Sequence, residues 1–132
     1  MEAGRVGGGG SGQSAVTDGF PRLKVQLHLA DGQWLGPGKA EMLALIAETG
    51  SISAAGRRMK MSYKRAWSMV EGLNAMFPEP LVDSARGGPQ GGGASLTGTG
   101  RRVLEQFQAL QAAVEAAAAP IVATLSDMSA RK

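Results

Sequence analysis

The sequence predicts a mainly α fold with a small β component. Three observations carry this: four stretches with apolar residues spaced three and four apart, serine, threonine or proline where those stretches begin, and two short β-like runs around a glycine-rich loop. At 132 residues the chain has room for one domain, and a hydrophobic content of 43% with 19% charged residues is ordinary for a globular protein. Residues 1–19, "MEAGRVGGGGSGQSAVTDG", hold six glycines in the first twelve positions and lack the apolar core of a signal peptide, which predicts a flexible tail. Residues 20–119 form the expected domain, and 120–132 a short extension. No uninterrupted apolar run approaches the roughly 20 residues of a membrane span, so no membrane partner is expected.

"LKVQLHL" (23–29) alternates Leu23, Val25, Leu27 and Leu29 with polar residues, the period of a half-buried strand with His28 on its outer face. "DGQWLGPGKA" reads as turn chemistry, and Pro37 suits the first turn of a helix in which Met42, Leu43, Leu45 and Ile46 form an apolar stripe up to Gly50. Ser51 can cap a short helix with Ile52, Ala55 and Met59 on one side. After a break at "KM", Ser62 can cap a third helix that turns Ala66, Met69, Val70, Leu73 and Phe77 inward and stops near Pro78. Two helices this close, the second longer and capped by serine, have the layout of a helix-turn-helix.

"LVDSARGGPQGGGASLT" places β-like runs at 81–84 and 94–96 around its glycines, a hairpin that in such proteins is called a wing. Thr97 can cap a long fourth helix whose Val103, Phe107, Leu110, Val114, Ala117 and Ile121 recur at spacings of 4, 3, 4, 3 and 4. A helix lying on its own domain could produce that seam, and pairing between subunits suits it as well. Pro120 is expected to kink or end the helix, with a short frayed helix beyond.

No acidic residue lies between Glu48 and Glu71, and that gap contains Arg57, Arg58, Lys60, Lys64 and Arg65. Five cations within nine residues would attract a polyanion. On the third helix Ser62, Tyr63, Lys64, Arg65 and Ser68 fall at the N-terminal or solvent side, where base and phosphate contacts are made by the second helix of a helix-turn-helix. Trp67 either packs under the wing or lies against the sugar-phosphate backbone.

Other chemistries find no support. The chain has no cysteine and one histidine, His28, which leaves no thiolate or histidine-based metal site and no catalytic dyad. "GPGKAE" has Gln33 and Ala40 where a phosphate-binding loop requires glycine and serine or threonine. The carboxylates are scattered, so neither an enzyme nor a cofactor is expected, and a cytoplasmic location fits.

"GSISAAGRRMKMSYKRAWSMVEGLN" followed by "GGPQGGGASLTGTGRRVL" resembles the N-terminal DNA-binding domain of the ModE family of molybdate-responsive transcriptional regulators, and more distantly LysR-type winged helix-turn-helix domains. The resemblance covers about residues 21–118. It implies a homodimer on double-stranded DNA, with recognition helices in successive major grooves and wings on the flanking backbone or minor groove. Carried over by position, Ser62, Tyr63, Lys64, Arg65 and Ser68 would line the recognition helix and Arg86 the wing. The helix near 38–49 and the seam from Val103 to Ile121 would form the dimer interface. Molybdate-sensing members carry a C-terminal pair of small β-barrel modules, for which 132 residues leave no room, so a regulator without its own molybdate-binding domain is expected. Two alternatives stand beside it: an interaction partner that heterodimerises with a full-length regulator of the family, and an architectural protein that binds DNA without sequence preference.

Overall fold

A computed structural model describes residues 23–85 and 93–130. The mainly α character and the small β component are both present. In chain order the elements are β1 (Leu27–His28), β2 (Trp34–Leu35), α1 (Pro37–Thr49), α2 (Ile52–Arg58), α3 (Tyr63–Met76), β3 (Val82–Ser84), β4 (Ala94–Leu96) and α4 (Gly98–Ala130). Their contacts divide the described chain into a compact unit over Lys24–Ala113 and a second that contains residues from Val114 onward.

Local chemistry sets most of the boundaries. Pro37 opens α1, where its missing N–H interrupts no hydrogen bond, and Gly50 closes it by donating to the Ile46 carbonyl over 2.8 Å. The Ser51 hydroxyl accepts from the Ala54 N–H at 3.0 Å, and the Ser62 hydroxyl accepts from the Arg65 N–H at 3.1 Å, so both predicted caps are made. Thr97 accepts from the Gly100 N–H at 2.9 Å and donates to the Pro80 carbonyl at 2.7 Å, joining the start of α4 to the chain that enters the hairpin.

The core of the first unit is apolar and continuous. Met42, Leu43 and Ile46 of α1, Ala55 of α2, Ala66 and Leu73 of α3, and Leu81 before β3 have no accessible surface, and Phe107 of α4 joins them. Burial of each leucine, isoleucine, methionine or phenylalanine among them stabilises the fold by about 1.5–3 kcal/mol, and of each alanine by less. The hairpin is antiparallel, with Val82 opposite Leu96 and Ser84 opposite Ala94. Its second strand is tied to the end of α1 by the Ala94 N–H donating to the Gly50 carbonyl at 2.9 Å.

Three expectations are corrected. The strand expected over 23–29 contracts to two residues, Leu27 and His28, paired with a strand that turn chemistry had concealed at Trp34 and Leu35. A turn through Asp31 at φ 63° connects them, and Leu27 is exposed. The helix expected to kink or end at Pro120 does not end there and continues to Ala130. Proline removes one N–H there, and the helix surface around it is exposed, so water can serve the carbonyl left without its usual donor. By length and composition alone α4 is nonetheless long and apolar enough to cross a membrane, which the absence of an uninterrupted apolar run did not foresee. Alanine supplies much of this, with Glu115 and Asp127 the charged residues between 114 and 130.

Candidate nucleic-acid interface

Helices α2 and α3 meet closely because small residues face each other. Ala55 and Ala66 are fully buried, and a Cβ added at Gly56 would lie 2.8 Å from the Ala66 Cβ, inside carbon–carbon contact distance. Beyond α2 the chain turns through residues 59–62, and Ser62 then caps α3. The buried side of α3 is Ala66, Val70 and Leu73, with Met69 and Phe77 half-buried against the same core.

This packing decides what remains outside. Arg57 and Arg58 lie exposed in the last turn of α2, Lys60 is exposed in the turn, and Tyr63, Lys64, Arg65 and Ser68 are exposed on the first turns of α3. Lys64 and Arg65 occupy a helix N-terminus with no acidic residue in its first turn, where the helix dipole disfavours cations by a few tenths of a kcal/mol or more. Local stability therefore does not account for them. Their charge adds to the dipole's positive end and concentrates a field suited to phosphate.

The predicted residues are not equivalent. Ser62 uses its oxygen as the cap acceptor. Arg58 forms an ion pair with Glu48 of α1 at 3.2 Å, which offsets part of its charge. Tyr63 is 64% exposed, and its ring meets that of Trp67 edge to face with centroids 6.1 Å apart. Trp67 is half-buried and packs against the core, so its ring acts as a wall that limits the positions open to Tyr63. Arg86, expected on the wing, lies outside the described residues.

One positioning residue carried no recognisable signal. The Asn74 side chain accepts from the N–H groups of Leu81 and Val82, both at 2.9 Å, and donates to the Val82 carbonyl at 3.2 Å, fixing the hairpin to the C-terminal part of α3. A lone asparagine inside a helical pattern reads as a surface residue, and only the return of the chain at 81–82 gives it these partners.

The expected seam divides into differently placed residues. Phe107 belongs to the core of the first unit, with Val103 and Leu110 packed against it. In the second unit Val114 is half-buried, Ala117 is exposed, and Ile121 is 63% exposed. Leu125 and Met128, at 57% and 61% exposure, extend the apolar residues of that stretch.

A short helix, a turn, a cationic second helix and an antiparallel hairpin, in that order, define a winged helix-turn-helix DNA-binding domain. Residues 39–101 match the family model described as bacterial regulatory helix-turn-helix protein, lysR family. The chain is 38% identical over 114 residues to molybdenum-pterin-binding protein MopB of Rhodobacter capsulatus, covering 86% of this chain and 39% of that protein. It is 38% identical over 88 residues to molybdenum transport protein ModE of Azotobacter vinelandii, covering 67% of this chain and 33% of that one. With the DNA-binding transcriptional dual regulator ModE of Escherichia coli K12 the identity is 36% over 88 residues, covering 67% and 34% respectively. Residues 39–101 are thus a lysR-type helix-turn-helix domain, and over this region the chain is similar to regulators named ModE. The chain spans 33% to 39% of the length of these relatives.

Proposed function

We propose that the protein is a sequence-specific transcriptional regulator that binds double-stranded DNA as a homodimer and acts on molybdenum-related genes from the cytoplasm. The carrying observation is the exposed N-terminal face of α3, where Tyr63, Lys64, Arg65 and Ser68 project beside the cationic end of α2. Lys64 neutralises phosphate, Arg65 reaches guanine acceptors in the major groove, and Ser68 and the Tyr63 hydroxyl add hydrogen bonds. The hairpin contacts the flanking backbone, and Arg86, carried to the wing by the family resemblance, adds a charge to that contact. Nothing in this mechanism requires catalysis or a cofactor.

Dimerisation is supported by the exposed apolar residues Ile121, Leu125 and Met128, whose spacings of four and three suit a helix pair. A groove of about 630 Å³ in the first unit, lined by Leu27, Leu35, Phe77, Val103 and Phe107 among others, offers a second apolar surface for the other copy to cover. The same surfaces would accept a longer regulator of the family, which is the alternative that exposure of the helix favours.

Binding of the purified protein to the DNA upstream of its own gene and to a random duplex, at two salt concentrations and with and without molybdate, tests the proposal. A preference for the upstream fragment is expected at both salts. Equal, steeply salt-dependent binding to both duplexes would overturn sequence specificity and favour an architectural role. Mixed dimers with a longer family member, formed at the expense of homodimers, would favour the interaction-partner role.

A further inference from the structure

Among the cations between residues 57 and 65, Lys60 is distinguished by its backbone. Helix α2 ends in a Schellman motif: the Met61 N–H donates to the Gly56 carbonyl and the Lys60 N–H to the Arg57 carbonyl, both at 3.0 Å. The motif requires a left-handed residue immediately after the cap, and Lys60 occupies that position at φ 61°. Glycine is favoured there, because any Cβ crowds the neighbouring carbonyl, and asparagine is the usual substitute. A long cationic side chain is therefore a poor choice for closing the helix.

Its surroundings do not compensate. Lys60 is exposed, and among the described residues its ammonium has no ion pair or hydrogen bond, whereas Arg58 one residue outside the turn is held by Glu48. The turn leads directly into Ser62 and the first turn of α3, so Lys60 stands in the same exposed segment as Lys64 and Arg65. Strain retained without a stabilising local contact points to a use outside the fold.

We propose that Lys60 is a dedicated DNA-phosphate contact, kept in an unfavourable backbone conformation because its charge there anchors the entry to the recognition helix. The inference rests on the DNA-binding function proposed above and adds a trade of stability for affinity at one residue. Lys60 contributes no base selectivity, so its removal weakens binding to every duplex alike.

Two variants separate charge from strain. Lys60→Gly removes both and is expected to raise Tm by about 2–4 °C, while duplex affinity falls several-fold and the slope of log K against log salt becomes shallower by about 0.9 for each protomer of the DNA-bound dimer. Lys60→Gln keeps the strained conformation, so the same loss of slope is expected without the gain in Tm. Lys60→Arg is expected to retain the slope. If the unsubstituted protein binds duplex DNA and neither Lys60→Gly nor Lys60→Gln alters the salt slope, the inference is overturned and the DNA-binding function stands. If the unsubstituted protein binds no duplex, both fall together.

Discussion

Helix α3 and residues 114–130 of α4 both carry apolar residues at helical spacing, yet they treat them oppositely. Ala66, Val70 and Leu73 of α3 are at most 2% exposed, whereas Ile121, Leu125 and Met128 are 57% to 63% exposed. The difference lies in their neighbours. Short connections bring α2 and the hairpin onto α3, and Asn74 fixes the hairpin with three hydrogen bonds. Residues 114–130 lie outside the unit that those elements build. Periodicity in a sequence thus establishes that a helix has an apolar side, while the covering of that side depends on elements remote from it. In α3 the covering leaves a cationic outer face, and in 114–130 the apolar side itself faces outward and suits a second chain.

The contrast is sharpest in stability. Leu73→Ala removes a fully buried side chain from α3 and should lower unfolding free energy by about 2–5 kcal/mol in denaturant titrations. A value under 1 kcal/mol would mean that α3 is held by something other than its apolar side. Gly56→Ala tests the α2–α3 approach. Because the new methyl would stand 2.8 Å from the Ala66 Cβ, the two helices must separate, at a cost of about 1–3 kcal/mol. Loss of the cap in Ser62→Ala should cost about 1 kcal/mol and fray the first turn of α3, measurable as faster amide exchange at Arg65. Ile121→Ser should change the stability of the isolated chain by no more than about 0.5 kcal/mol. Sedimentation, however, should show weaker self-association. If Ile121→Ser instead destabilises the chain as much as Leu73→Ala, at a concentration where it is monomeric, the contrast between the two stretches disappears.

Much of the first unit was legible because its punctuation is local. Pro37, Gly50, Ser51, Ser62, Pro78 and Thr97 each act within a turn of the chain, and the elements they bound are present close to the predicted positions. The exposed position of Tyr63, Lys64, Arg65 and Ser68 followed from the apolar spacing of α3 alone. Long-range or conformational features were not legible. The two-residue β2 is created by pairing with Leu27–His28, and its own residues looked like a turn. Pro120 carries the strongest helix-breaking signal in the chain, but one missing N–H on an exposed helix is tolerated where the remaining hydrogen bonds persist. Nor does charge alone separate Arg58, tied to Glu48, from Lys60, held in a left-handed turn. The family resemblance, carried by the residues on either side of the wing, reached the same domain that the match over 39–101 identifies.

The central claim is that the N-terminal face of α3 reads DNA. Its most direct test is equilibrium binding of the unsubstituted protein, Lys64→Ala and Arg65→Ala to a preferred and a random duplex across a salt series. Lys64→Ala should weaken both complexes and make the salt slope shallower by about 0.9 for each protomer of the dimer, while Arg65→Ala should cost about 1–3 kcal/mol for each protomer on the preferred duplex and narrow the preference between the two. Affinity, slope and preference unchanged in both variants would contradict the claim and move the DNA contact away from α3.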